Sequence, residues 1–161
     1  MKKVLAITVI TAALTAGTVT PAQAAVPFTV SLESEAPGAQ NTTSGFSAVG
    51  VETFEGVGNG TGINFVSNFG GSAFTGTYSN VEVLPADEYG GAGGGGNYAV
   101  TFSDTGYSLD LSTNLPGGVT YFGFWLSALD GGNNVSFYQS GNLLFNFSAQ
   151  NARDFINGLA N

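Results

Sequence analysis

Histidine and cysteine are both absent from the 161 residues of this chain. Their absence excludes disulfides, zinc sites of the His/Cys type, thiol catalysis and Ser-His-Asp catalysis. Basic residues are nearly as scarce, because 3 Lys and Arg stand against 11 Asp and Glu, for a formal net charge of −8. Nucleic acids and anionic lipid headgroups are bound through Lys and Arg contacts to phosphate, so the sequence excludes both as partners.

Glycine and aromatic residues are abundant instead. The chain has 25 Gly and 13 Phe, and only 9% of its residues are charged. Disordered segments need high net charge and low hydrophobicity, so this composition indicates a folded chain. Aromatic and β-branched residues fit pleated surfaces while glycine fits turns, and the composition therefore predicts an all-β fold.

Residues 1–24 have the pattern of a secretory signal. Lys2 and Lys3 precede a 13-residue apolar stretch, and Ala22-Gln23-Ala24 supplies small residues at a cleavage site. The stretch is too short to span a bilayer, which needs ~20 residues. We therefore expect an exported chain without a transmembrane anchor, which begins at Ala25 after processing. Lys2 and Lys3 leave with the signal, so Arg153 remains against 11 acids and the net charge becomes 1 − 11 = −10.

After the signal, apolar residues alternate with polar ones at a period of two, as half-buried antiparallel strands require. Val119–Leu126 is apolar on both faces and predicts a central strand. Turn residues separate runs about ten residues apart, which favours a jelly-roll-like β-sandwich over residues 25–161. A single helix, Ala149–Asn157 with Ser148 as its cap, is predicted near the end. The remaining predicted strands are Thr29–Glu33, Phe46–Phe54, Ile63–Phe69, Ser72–Val83, Tyr98–Phe102, Tyr107–Leu111, Val135–Tyr138 and Leu143–Phe147.

Loop carboxylates and amides suggest a structural calcium site. Ca²⁺ takes six to eight oxygen ligands, and the residues of this kind that lie next to glycine-rich turns are Asp87, Glu88, Asp130 and Asn133. No EF-hand spacing is present, so the alternative interpretation is that these groups are solvated loop residues. No catalytic and no cofactor-binding residue is assigned, and the protein is predicted not to be an enzyme.

Two further interpretations involve carbohydrate. Tyr89, Tyr121 and Tyr138 could stack on sugar rings in a lectin-like module that binds extracellular polysaccharide. Cross-strand packing is the more common role of such aromatic residues. A pair of carboxylates could hydrolyse a glycosidic bond at a separation of ~5–9 Å, although eleven acids bring some pair to that distance in any fold.

Several segments together resemble the exosortase-dependent, PEP-CTERM type of bacterial exported surface protein. They are Ala86–Gly93, Asn97–Phe102, Tyr121–Asp130, Val135–Tyr138, Gly141–Leu144 and Val51–Glu55, and Tyr121–Asp130 is the most specific of them. The resemblance covers roughly Val30 to Leu159. It implies a secreted β-sandwich of a Gram-negative bacterium, at the cell surface or in the extracellular matrix, with no established enzymatic role.

The family also implies further strands and a Val-Pro-Glu-Pro sorting signal, and this sequence shows neither after Leu159. We therefore expect a domain that is incomplete at its C-terminus, with an open sheet edge beside the helix. Such an edge favours self-association. The side chains expected to be less buried than their size would suggest are Phe145, Phe147, Phe155 and Ile156.

Overall fold

The computed structural model describes residues 3–9, 28–33, 35–36, 38–71, 73–91, 94–102, 106–126 and 131–159. Nine antiparallel strands and one helix lie in these ranges, which confirms the all-β class with a short C-terminal helix. The strands are β1 Lys3–Val9, β2 Phe28–Glu33, β3 Gly60–Ser67, β4 Phe74–Pro85, β5 Asn97–Val100, β6 Ser108–Thr113, β7 Tyr121–Leu126, β8 Asn134–Gln139 and β9 Asn142–Ser148, and the helix is α1 Ala149–Leu159.

The strands form three sheets. The first has the order β2-β1-β7, and the third is the β8-β9 hairpin. In the second sheet, β3 pairs with one edge of the long strand β4, while β5 and β6 follow each other along its opposite edge. The sandwich arrangement remains a prediction.

A β-bulge shapes the core around β4. Asn80 has a φ of 61°, and the register to β3 shifts by one between Ile63 and Phe65. The shift moves the alternation of side chains by one residue, so that Tyr78 and Val81 both face the interior. Tyr78 is 5% exposed, and Val81 and Val83 are fully buried. We call this cluster the β4 core; half-buried side chains around it include Phe54, Ile63, Phe65, Phe69 and Leu109.

A second cluster, the helix core, joins α1 to the first sheet. Phe147 and Ala152 are buried, and half-buried Val30, Phe124, Leu126, Phe145 and Phe155 pack against them. Phe147 is only 5% exposed, so the expectation that it would be underburied is wrong. Its place near the end of β9 directs it under the helix that begins two residues later. Phe145, Phe155 and Ile156 are half-buried, as expected.

Two predicted strands differ from the structure. Phe46–Phe54 forms no strand, and Phe46 and Val49 are 39% and 37% exposed. The Val51 amide donates to the Phe69 carbonyl at 3.3 Å, but this contact does not extend into a ladder. β7 is not central, since it ends the order β2-β1-β7 and its side chains are mostly half-buried.

Part of the predicted signal is a strand here. β1 is the middle strand of its sheet, and residues 10–24 of the same segment lie outside the described residues. Among the described residues, no helix has the length and apolar character needed to cross a membrane.

Candidate functional site

The main candidate site lies where β2 ends and β7 begins. Glu33 is the last residue of β2 and Tyr121 is the first of β7. The segment 35–46 folds beside them, held by the Trp125 indole, which donates to the Ala39 carbonyl at 2.7 Å. Phe46 packs on Tyr121 with 4.6 Å between ring centroids. We call this group of side chains the Tyr121 cluster: Glu33, Glu35, Thr42, Thr43, Ser44, Phe46, Tyr121 and Trp125.

Hydrogen bonds in the Tyr121 cluster converge on its two carboxylates. The Tyr121 phenol hydrogen-bonds to Glu33, and the Ser44 hydroxyl donates to Glu33 Oε1 at 3.3 Å. The second oxygen, Glu33 Oε2, is buried without a hydrogen-bond partner among the described residues. Glu35 accepts bonds from the Thr43 amide at 2.5 Å and the Thr43 hydroxyl at 2.7 Å. The unpartnered Glu33 oxygen is out of a ligand's reach, so Glu35, which is only partly buried, is the carboxylate that could accept from a ligand rich in hydroxyl donors.

The pKa values in this cluster follow from burial and hydrogen bonding. Burial, with the Glu33 hydrogen bond as the second cause, raises the pKa of Tyr121 to about 12. The backbone and side-chain bonds from Thr43 hold the pKa of Glu35 below its ordinary value. At neutral pH Tyr121 is therefore a neutral donor and Glu35 a charged acceptor.

Gly123 makes the position of Tyr121 possible. A methyl group at residue 123 would lie 2.7 Å from the Tyr121 hydroxyl oxygen, so the phenol crosses the strand only because that residue has no side chain. Sequence reasoning identified Tyr121 as an aromatic residue that could contact sugar, but it missed both Glu33 and Glu35. Their alternation at a strand end, with the Tyr-x-Gly-x-Trp pattern of β7, was the available signal.

Asp87, a predicted calcium ligand, holds a turn. Its Oδ1 accepts bonds from the Tyr89 amide at 2.8 Å, the Gly90 amide at 3.0 Å and the Tyr98 phenol at 3.0 Å. Burial and this bond to Asp87 raise the pKa of Tyr98 to about 12. Gly90 is required here because a methyl group at that position would overlap the Tyr98 ring.

The other predicted calcium ligands lie elsewhere. Glu88 is exposed beside Asp87, Asn133 precedes β8 in a different sheet, and Asp130 lies outside the described residues. No group of three or more acidic, His or Cys side chains that could hold a metal ion occurs within the described ranges. Calcium binding therefore stays a prediction.

Two further acids support the loop before β3. Glu52 accepts the Phe54 amide at 2.7 Å, and Glu55 accepts the Asn97 amide at 2.9 Å. The Asn97 side chain donates back to the Phe54 carbonyl at 3.2 Å and thereby ties that loop to β5. These carboxylates are used as acceptors for backbone amides.

The surface recesses are shallow. One of about 200 Å³ is lined by Thr61, Asn80, Glu82 and Thr101 together with Gly62, Val100 and Gly106. Another of about 330 Å³ is lined by Ala73, Thr75, Ser112, Thr113 and Asn114. Hydrolysis of a glycosidic bond uses two facing carboxylates. The first recess has one carboxylate and the second has none.

Comparison with known proteins gives no relative: no family model, no curated protein and no solved structure matches this chain.

Proposed function

We propose that this chain is an exported, non-enzymatic protein of the cell surface or extracellular matrix of a Gram-negative bacterium, of the PEP-CTERM type. The observation that carries the proposal is that several acidic side chains of this chain are engaged with its own loops. Asp87, Glu52, Glu55 and Glu35 each accept hydrogen bonds from backbone amides of loops. Carboxylates engaged in this way hold a scaffold together. The secretory pattern of residues 1–24 supplies the route to the outside.

The experiment is localisation of the full chain, with a C-terminal tag, in a Gram-negative host. We expect the tag outside the cell or on its surface, on a polypeptide that begins at Ala25. Leu14→Arg places a charge in the apolar stretch, at a position outside the range of β1, and should retain the chain in the cell. Ala24→Phe should leave the export signal attached. Material that stays inside the cell or still begins at Met1 contradicts the proposal.

The Tyr121 cluster supports a second candidate, binding of a neutral polysaccharide. Half-buried aromatic rings beside carboxylates and hydroxyls suit sugars, because the rings stack on C–H faces and the oxygens accept hydroxyl protons. The net charge of −8 disfavours acidic polysaccharides.

Binding to dextran, galactomannan and polyanionic alginate tests this candidate. We expect Phe46→Ala to weaken binding of the neutral polymers at least tenfold. Leu143→Ala is the control, because Leu143 is 57% exposed on the hairpin and outside the cluster. Equal loss with both variants, or binding of alginate alone, contradicts the candidate.

A further inference from the structure

The first sheet depends on a strand that the proposed export would remove. β1 pairs with β2 through six residue pairs on one side and with β7 through six on the other. Within the described residues, β2 and β7 pair with no other strand. Cleavage before Ala25 therefore leaves both strands with unpaired backbone groups facing the vacated position. This inference rests on the proposed export.

β7 is the part of this sheet that stays in place. Phe124 and Leu126 anchor it in the helix core, and its other contacts include the Trp125 bond to Ala39. None of the six residues Tyr121–Leu126 is charged or a proline. Charges and prolines are the features that protect exposed edges against pairing with another chain, and β7 lacks both.

The chain's own β2 is poorly placed to fill the position. β2 and β7 are both antiparallel to β1, so they run parallel to each other. Glu33 and Trp125 both pair with Val4, and the bonds Trp125–Ala39 and Ser44–Glu33 hold the following segment at this end. To take the position of β1, β2 would have to reverse its direction. That reversal would break those bonds, and the segment after Glu33 would have to run back along the strand.

We propose that β2 of a second copy enters the vacated position and pairs antiparallel with β7. Phe28–Glu33 alternates apolar and polar residues, and its apolar residues have the spacing of Leu5, Ile7 and Val9 in β1. In the proposed register Val30 takes the position of Leu5 opposite Phe124, which places Phe28 opposite Leu126 and Leu32 opposite Phe122. β2 lies near the new N-terminus, so it can leave its own body once Val30 gives up its packing in the helix core and Glu33 its bond to Ser44. Strand addition of this kind links copies through main-chain hydrogen bonds, either reciprocally as a dimer or head to tail.

The test uses the full chain with a specific protease site inserted between Ala24 and Ala25. The uncut chain is expected to have the mass of one copy by light scattering. The cleaved chain is unfolded in urea, residues 1–24 are removed, and the large fragment, residues 25–161, is returned to buffer. We then expect a mass at least twice that of one large fragment. A synthetic peptide of residues 1–11 in tenfold excess should restore the single-copy mass. The same peptide with Ile7→Pro should not, because proline removes a ladder donor.

Amide exchange locates the contact without any substitution in the protein. We expect protection of residues 28–33 and 121–126 in the associated fragment. Val30→Asp should prevent association, whereas Thr29→Asp on the exposed face of the same strand should preserve it. A large fragment that stays single, folded or unfolded, overturns the proposal, as does association protected only elsewhere. Cleavage is performed in vitro, so a failure here is separate from a failure of export.

Discussion

Several aromatic rings in this protein lie directly on a glycine. Tyr98 lies on Gly90, Tyr121 on Gly123, and Phe69 reaches over Gly76 in the β4 core. Each pairing lets a bulky side chain approach the backbone at a place where any Cβ would collide. At these residues, glycine serves packing more than turn formation.

Gly90→Ala is expected to destabilise the fold by about 1–3 kcal/mol, the usual cost of overpacking. The added methyl group would overlap the Tyr98 ring and displace the phenol from Asp87. Gly95→Ala is the matched control, because a methyl group there has nothing within 4 Å. Urea unfolding measures both variants, and equal stability would contradict the packing argument.

Tyr98 should make the fold sensitive to alkali. Its pKa is about 12 in the folded protein and 10.0 for an unperturbed tyrosine, because burial and the Asp87 bond favour the protonated form. A raised folded pKa contributes stability that is complete below pH 10 and is lost as the pH rises from 10 to 12.

The measurement is tyrosinate absorbance during alkaline titration, followed together with unfolding. Tyr98→Phe should remove one late-titrating group. Asp87→Asn removes the charge but leaves the burial, which is the larger cause. It should therefore preserve the part of the shift that burial causes; a return of the Tyr98 pKa to 10 would show that burial contributes nothing.

At the scale of elements, strict alternation was a reliable guide. Tyr107–Leu111, Val135–Tyr138 and Leu143–Phe147 correspond to β6, β8 and β9 within two residues at each end. Alternation fixes which face is apolar, and hairpin turns bring such strands together. The strand predicted at Phe46–Phe54 does not form, because the β-propensity of a segment does not by itself supply a strand to pair with. The bulge at Asn80 was also missed, since a single polar residue with positive φ leaves little mark on a sequence.

The helix start was predicted together with its cap, and the structure adds a reciprocal partner. The Ser148 hydroxyl oxygen accepts the Asn151 amide at 3.1 Å, and Asn151 Oδ1 accepts the Ser148 amide at 3.0 Å. This is the arrangement of a capping box with Asn in place of Glu or Gln.

Ser148→Ala should therefore cost about 1 kcal/mol of stability, measured by urea unfolding. Ser148→Asp keeps an acceptor at the cap and should recover most of the loss. Since α1 packs on Phe147 of β9 through Ala152 and Phe155, fraying of the first turn should also increase amide exchange in β9. An alanine variant as stable as the parent would show that the cap contributes nothing.

At the scale of the whole molecule, the candidate site shows what sequence reasoning could not supply. Tyr121 was recognised as a sugar-binding candidate, but Glu33 lies 88 residues earlier. The order β2-β1-β7 and the bonds Trp125–Ala39 and Ser44–Glu33 bring the two together. That order depends on β1, whose apolar run was read as an export signal alone. The segment of β1 thus has the sequence pattern of an export signal and the pairing of a central strand. The pattern alone does not indicate which of these two roles the segment has.

The excess of acids over bases should make stability depend on salt. With 11 acids and 3 bases, the folded chain repels itself more than the expanded unfolded chain does. Raising NaCl from 10 mM to 0.5 M shortens the screening length from ~30 Å to below 8 Å. The melting temperature should therefore rise with NaCl, and a melting temperature independent of salt would contradict this.

If calcium binds, it should raise the melting temperature in addition to the general effect of salt. A site formed with Asp87 or Glu88 would bind only the folded state and would contribute about 2.7 kcal/mol at a hundredfold excess of Ca²⁺ over its Kd. Millimolar CaCl₂ should then raise the melting temperature beyond MgCl₂ at equal ionic strength, and Glu88→Gln should reduce the difference. Screening acts through charge alone, so equal melting temperatures in CaCl₂ and MgCl₂ would leave self-repulsion as the full explanation and rule out a calcium site.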